Sequence, residues 1–371
     1  MKQKILVRVC RQQVTIAIAA TVGLFLAVPA QAGSTISFGE DQSIGLGLEM
    51  RGSYTGFQNG APLNTNHLNL DNISLKTTAS LNKNIKAFVS TDRDAAENLK
   101  LKDVYARFDI APEFNVMAGR MLPPSDRANL AGAYYALGWS FPRVVSKHPS
   151  VAFGRDDGVV VWGKLLDKKL VYSAGSFQGR NRSATASNQN GNLLFSGRLA
   201  VNFWDAEPAP QYFTGSTYFG SAEVFTVGLA ALSQKDGVGN LATKDDYQAW
   251  NIDALIEKKL AGGFLTLDGA YYKYSFSPAA ATADGRVTPG KALMLGSGFL
   301  FPEKLGWGKL QPYYRYQQFD ADGTGVRTAQ SDVGLNYVID GSRAKVSGTY
   351  TRLKVAAAET ISFVLGFQWQ Y

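Results

Sequence analysis

The sequence predicts an all-β fold, a transmembrane antiparallel β-barrel of sixteen strands with an inward-folded third extracellular loop. Three observations predict it: apolar residues alternate with polar ones at period two, the alternating segments are even in number and membrane-length, and the connections sort by length onto two sides.

Alternation is clearest in the last segment. Ile361, Phe363, Leu365, Phe367, Trp369 and Tyr371 are apolar or aromatic, with Ser362, Val364, Gly366, Gln368 and Gln370 between them, small or polar apart from Val364. In a strand the two sets face opposite sides. One side suits hydrocarbon and the other water. Phe363, Phe367, Trp369 and Tyr371 are read as a C-terminal barrel-assembly signal. The pattern recurs over 44–51, 250–257, 332–339 and 344–351, with a tight turn at Asp340 and Gly341.

Strands are expected near 43–55, 69–82, 84–93, 101–110, 114–122, 157–166, 169–178 and 193–204. They continue near 223–233, 247–257, 262–276, 290–301, 308–319, 329–339, 343–354 and 360–371. Each approaches the ~9–11 residues of a tilted membrane strand. Connections on the side of the termini are mostly short, with 205–222 the exception. Those on the other side are mostly longer: 56–68, 94–100, 123–156, 179–192, 234–246, 277–289 and 320–328. Short periplasmic turns and long outer loops are the pattern of outer-membrane barrels.

Residues 1–32 read as a cleaved signal peptide. Lys2, Lys4, Arg8 and Arg11 form a basic start, Val14 to Val28 is apolar, and Ala30 and Ala32 are small residues at the cleavage site. Residues 33–42 are then a short periplasmic segment and 43–371 the barrel. The chain of 371 residues has a formal charge of +8, and losing the signal leaves +4. So mild a charge gives no reason for nucleic acid. The single cysteine, Cys10, departs with the signal, which excludes disulfides, thiolate metal sites and cysteine nucleophiles.

No phosphate-cradling glycine loop, zinc helix or acidic calcium loop is present. His67 and His148 fall in expected outer loops without a catalytic companion. Gly154 to Gly158 is turn-rich and too poor in carboxylates for a cation. No catalysis, cofactor or metal is expected.

The remaining chemistry is that of a pore. Alternation puts Arg51, Lys76, Lys86, Arg107, Arg198, Arg315 and Lys345 on the inner face. It puts Glu49, Asp92, Asp103, Asp109, Asp253, Glu257, Asp268 and Asp332 there too, a balanced wall. Arg or Lys facing mid-membrane lipid would cost roughly 2–4 kcal/mol. The third outer loop is the longest connection and holds a helix-compatible run from Asp126 to Gly138. Its aromatics Tyr134, Tyr135, Trp139, Phe141 and Phe153 are costly to leave in water. Folded inward, it would bring Asp126, Arg127, Arg143, Lys147 and Arg155 to a constriction of charge +3.

Several segments carry a family resemblance: Asn72 to Lys76, Lys102 to Tyr105, Phe114 to Arg120 with Pro123 and Pro124, Gly154 to Gly158, and Tyr172 to Gly179. Leu335 to Tyr337 and Tyr350 to Arg352 extend it to the closing hairpin. In order and spacing they resemble the phosphate-selective porin O and P family of Gram-negative bacteria. That resemblance implies a homotrimeric channel with the third loop inside and passage of anions. Two departures stand out. Lys76 and Thr77 replace an arginine pair common in that family, and 33–42 is too short for the periplasmic coiled coil of some relatives. Phosphate specificity is therefore not inherited.

The expectation is a passive, weakly anion-preferring channel for small hydrophilic solutes. Its partners would be outer-membrane lipid, lipopolysaccharide and the barrel-assembly machinery. The alternatives are a phosphate or oxyanion channel, a sheath around a secreted or redox partner, or a barrel enzyme.

Overall fold

The computed structural model describes residues 35–58, 64–93, 97–146, 154–180, 187–189 and 191–371. The expected signal peptide, Lys147, His148 and Phe153 lie outside them.

Among the described residues eighteen strands form one antiparallel sheet. The first are β1 (Thr35–Ser37), β2 (Ser43–Gln58), β3 (Asn64–Ser80), β4 (Ile85–Arg93), β5 (Leu99–Ala111) and β6 (Phe114–Met121). Next come β7 (Asp156–Leu165), β8 (Leu170–Phe177), β9 (Leu194–Asn202), β10 (Val224–Gly239), β11 (Lys244–Leu260) and β12 (Gly263–Ser275). The last are β13 (Gly290–Leu300), β14 (Lys304–Leu305), β15 (Gly308–Ala321), β16 (Arg327–Asp340), β17 (Ala344–Val355) and β18 (Ala358–Gln370).

Two strands are short appendages. β1, inside the expected periplasmic segment, pairs with the start of β2, and β14 pairs with the start of β15. The other sixteen are the expected barrel strands. Each pairs with its sequence neighbours, and β18 pairs with β2 from Ile361↔Gln58 to Gln370↔Glu49. That last ladder closes the barrel and leaves no open edge.

Alternation sets the two faces. On β2, Glu49, Arg51, Ser53 and Thr55 are buried while Leu46 and Tyr54 are exposed. Leu75, Phe108, Leu199, Leu229, Ile252, Leu295, Val333, Leu335 and Phe363 extend the exposed apolar face around the barrel. Among the described residues no helix is long and apolar enough to cross a membrane; strands do the crossing.

The strands run further than expected at several outer ends. β3 begins at Asn64, so His67 lies on a strand, opposite Thr55, and not in a loop. The expected connection 234–246 is mostly ladder. Its turn-like residues Lys235, Asp236 and Gly237 form a bulge between Gln234 and Val238, and Asp236 adopts φ 53°. Bulges and turns favour the same residue types, so composition alone confuses them. The longest connections on that side are therefore 122–155, 178–193 and 276–289. On the other side, 203–223 is the long one.

Among the described residues two short helices lie in connections, α1 (Arg127–Ala131) and α2 (Pro278–Asp284). The helix expected over 126–138 is only α1. Asp126 caps it by accepting from the Asn129 amide, and Gly132 ends it at φ 67°. α2 was not expected; Ser277 caps it and Pro278 opens it.

The hydrophobic core lies inside one half of the barrel. Met117, Met121, Val160, Phe177, Tyr247, Tyr272 and Tyr274 are fully buried, or nearly so, on inner-facing positions of β6–β8, β11 and β12. That side of the interior mixes these apolar groups with buried polar ones, Asn115, Arg198, Asn251, Asp253 and Glu257 among them; alternation located the charges but not the apolar cluster.

Gly119 is a point where the ladder depends on glycine. It sits at φ 133°, and a Cβ there would lie 2.2 Å from the Val104 carbonyl oxygen. Gly119→Ala is expected to cost of order 1–3 kcal/mol. Thermal unfolding in detergent should show the lowered midpoint; an unchanged midpoint would contradict the crowding.

Candidate pore lining and constriction

Residues 122–146 are tied to inner-facing side chains from most of the barrel. A buried backbone needs a partner for every polar group, and the wall supplies five of them to carbonyls between residues 134 and 140. Gln368 donates to Tyr134 O at 3.0 Å, Lys345 to Ala136 O at 3.2 Å, and Asn336 to Leu137 O at 2.9 Å. Arg51 donates to Trp139 O, and Arg315 to Ser140 O at 2.7 Å. Arg51 also lies over the Trp139 ring, 3.9 Å from its centroid. Gly366 of β18 leaves room for Trp139, since a Cβ there would fall 2.4 Å from the indole.

The long connection 203–223 meets the same segment from the opposite end. Tyr212 donates to Leu122 O at 2.7 Å, Thr214 to Arg127 O at 2.8 Å, and the Ser216 amide to Tyr135 O at 2.9 Å. Glu257 on β11 anchors this connection. Its carboxylate accepts from Thr217 at 2.8 Å, the Gly220 amide at 2.7 Å and Thr266 at 2.9 Å.

Arg127 joins the two connections. Its guanidinium grips Glu207 in a two-pronged pair, both contacts 2.7 Å, and donates to Gly215 O at 2.9 Å. Its amide donates to Asp253 at 3.2 Å. Asp253 is also gripped by Arg198, which reaches Ser125 O at 3.1 Å. Burial works to raise the Glu207 carboxyl, but the adjoining Arg127 guanidinium outweighs it and holds the group below its ordinary range. Burial likewise works against the charge of Arg127, and Glu207 outweighs that, raising it.

A cavity of about 1520 Å³ runs along the β2–β5 wall, between it and these two connections. Its lining holds nine Arg and Lys side chains against five Asp and Glu, a net charge of +4, and nine aromatic rings. Arg51, Lys76, Lys86, Asp103, Arg107, Arg143 and Arg155 are lining residues anticipated from the sequence. Lys76 pairs with Glu49, and Arg155 with Asp103 at 2.9 Å. Asp109 holds Lys86 and Arg107 beside the cavity.

The expected +3 constriction needs correcting. Asp126 and Arg127 do not line the cavity; Asp126 accepts from Tyr272 at 3.0 Å, and Arg127 is buried against Glu207. Arg198, Arg315 and Lys345 are inner-facing as expected but buried under residues 122–146. They hold chain in place and do not face the cavity. Phe363 is exposed, and Phe367 and Trp369 are half-buried.

Glu207, Phe213 and Tyr218 were missed by the sequence reading. The available signal was the length of 203–223, with Pro208, Pro210 and four aromatics between 212 and 219. Among the described residues no group of three metal-ligating side chains comes together.

Sixteen antiparallel strands, closed, with an apolar outer face and an internal cavity, settle the architecture. This is the fold of the outer-membrane porins. The anion-selective porin from Comamonas acidovorans superimposes with TM-score 0.60 at 13% identity, over 89% of this chain and all (100%) of that one. Salmonella typhi OmpF, in complex with daunomycin, gives 0.59 at 14%, over 91% and 100%. The outer-membrane channel DcaP of Acinetobacter baumannii gives 0.53 at 12%, over 91% and 100%. No family model and no curated protein sequence matches the chain. A closed barrel with this outer face spans the outer membrane many times, its strands paired in ladders around the whole circuit.

Removing one partner of a buried ion pair costs about 3–5 kcal/mol. Glu207→Gln is therefore expected to lower the unfolding midpoint and expose 203–223 to protease. Glu207 titrates lower in the folded protein, so its stabilisation is complete above a pH of about 4.3. It is lost as the pH falls through the depressed native value. The difference in midpoint between wild type and Glu207→Gln should shrink on acidification below that pH. A constant difference would refute the pair as its source.

Proposed function

We propose that the chain is a diffusion channel for small hydrophilic solutes with a weak preference for anions. The observation that carries this is the +4 lining of the cavity beside β2–β5. Charges facing a confined, partly dehydrated passage act strongly on ions. In this reading residues 122–146 belong to the third extracellular loop and fold inside the barrel as its constriction. Support comes from the five wall-to-carbonyl hydrogen bonds at 134–140. The connection 203–223 narrows the same passage from the periplasmic side.

A homotrimer belongs to the proposal. One OmpT structure from Vibrio cholerae is described as a trimer form, and the Comamonas porin as anion-selective. So do the cleaved signal of residues 1–32, contact with lipopolysaccharide, and use of Phe363, Phe367, Trp369 and Tyr371 by the barrel-assembly machinery. The resemblance to phosphate-selective porins is carried only as far as anion passage.

Single-channel recording in a planar bilayer under a KCl gradient tests the reading. Open, water-filled conductance is expected, with a reversal potential displaced toward chloride. Lys76→Gln with Arg143→Gln should bring that potential toward zero. Conductance with no ion preference would remove the charged-passage account and leave the channel. Silence from folded barrel would remove both.

A further inference from the structure

The inner register of β4 and β5 holds an arrangement that ordinary wetting of a lumen does not require. Lys86 stands directly opposite Arg107, and one step along Phe88 stands directly opposite Tyr105. Like charges directly across a ladder destabilise it. Asp109 offsets only part of this. It lies 2.8 Å from Lys86 Nζ and 2.8 Å from Arg107 Nε, so two cations share one carboxylate. An ammonium has three donors and a guanidinium five, so donor capacity is left over.

The neighbouring aromatic pair has ring centroids 5.4 Å apart and planes tilted by 32°. All four side chains line the cavity. Beyond the rings the next cross-strand step is already satisfied: Ser90 donates to Asp103 at 2.7 Å, and Arg155 neutralises Asp103. The aromatic pair thus sits between a cationic step and a neutral one. Successive inner steps along a strand are about 6.6 Å apart. One arene resting on the rings can extend an anionic group to the flexible cations.

We propose that Lys86, Arg107, Phe88 and Tyr105 form a subsite for aromatic monocarboxylates on the pore wall. The carboxylate completes the charge of the Lys86–Arg107–Asp109 cluster, and the ring packs on Phe88 and Tyr105. Acetate gains the first contact alone. Inorganic phosphate gains charge but no ring contact. The proposal deepens the channel reading and rests on it.

The experiment compares block of KCl conductance by benzoate, acetate and inorganic phosphate. Benzoate is expected to act at about fivefold lower concentration than acetate, the size of one aromatic contact. Phe88→Leu should bring benzoate to the level of acetate and leave acetate unchanged. Phe88→Trp should keep the preference, and Lys86→Gln should weaken both acids. Far-UV circular dichroism confirms that each variant folds. Equal block by benzoate and acetate, an unaltered response in Phe88→Leu, or phosphate acting below benzoate would overturn the subsite. If folded protein carries no current, the channel reading fails instead. Calorimetric titration with benzoate and acetate then reads the subsite directly, and the same fivefold preference is expected.

Discussion

Backbone placed inside a barrel must find partners for its own N–H and C=O groups. Most of the interior of this molecule follows from that need. A sheet closed on itself spends its backbone groups on its own ladders. Any segment crossing the interior must be held by side chains. Here Gln368, Lys345, Asn336, Arg51 and Arg315, from five strands that adjoin around the closure, each donate to a carbonyl between 134 and 140. The same need explains Glu257, whose single carboxylate collects amide and hydroxyl donors from the 203–223 connection and its own wall.

Two consequences follow for the lumen. In the proposed reading one half is filled, because residues 122–146 and 203–223 bring aromatic and aliphatic side chains that pack against Met117, Val160 and Tyr272. The other half stays open, along β2–β5, where the inner face keeps paired charges and few apolar groups. Arg127 and Glu207 mark the junction of the two connections. Their pairing is stable because each outweighs the other's cost of burial. Inner-facing charges in this barrel anchor chain, as Arg198 and Lys345 do, or face the cavity, as Lys76 and Lys86 do; Arg51 does both.

The barrel was readable from the sequence because period-two alternation is a local property of each strand. Sixteen strands were located, and the closing strand carried the clearest pattern. The misreadings were also local. Lys235 to Gly237 read as a turn and is a bulge, and His67 read as a loop residue and lies on β3. Of the candidate site, the inner-facing charges were found by parity alone. Their partners were not, since parity gives a face and not a neighbour.

The sequence by itself determined the strand count, the two faces and the inward direction of the charges. Each depends only on the alternation of Cβ directions along a strand. The tertiary structure decided which charges face the cavity and which are buried. That depends on where two long connections come to rest, a matter of contacts between residues far apart in the chain, 80 positions for Arg127 and Glu207 and 234 for Tyr134 and Gln368. Arg127 and Arg143 lie in one loop and carry one sign. Packing alone places the first against Glu207 and the second at the cavity wall.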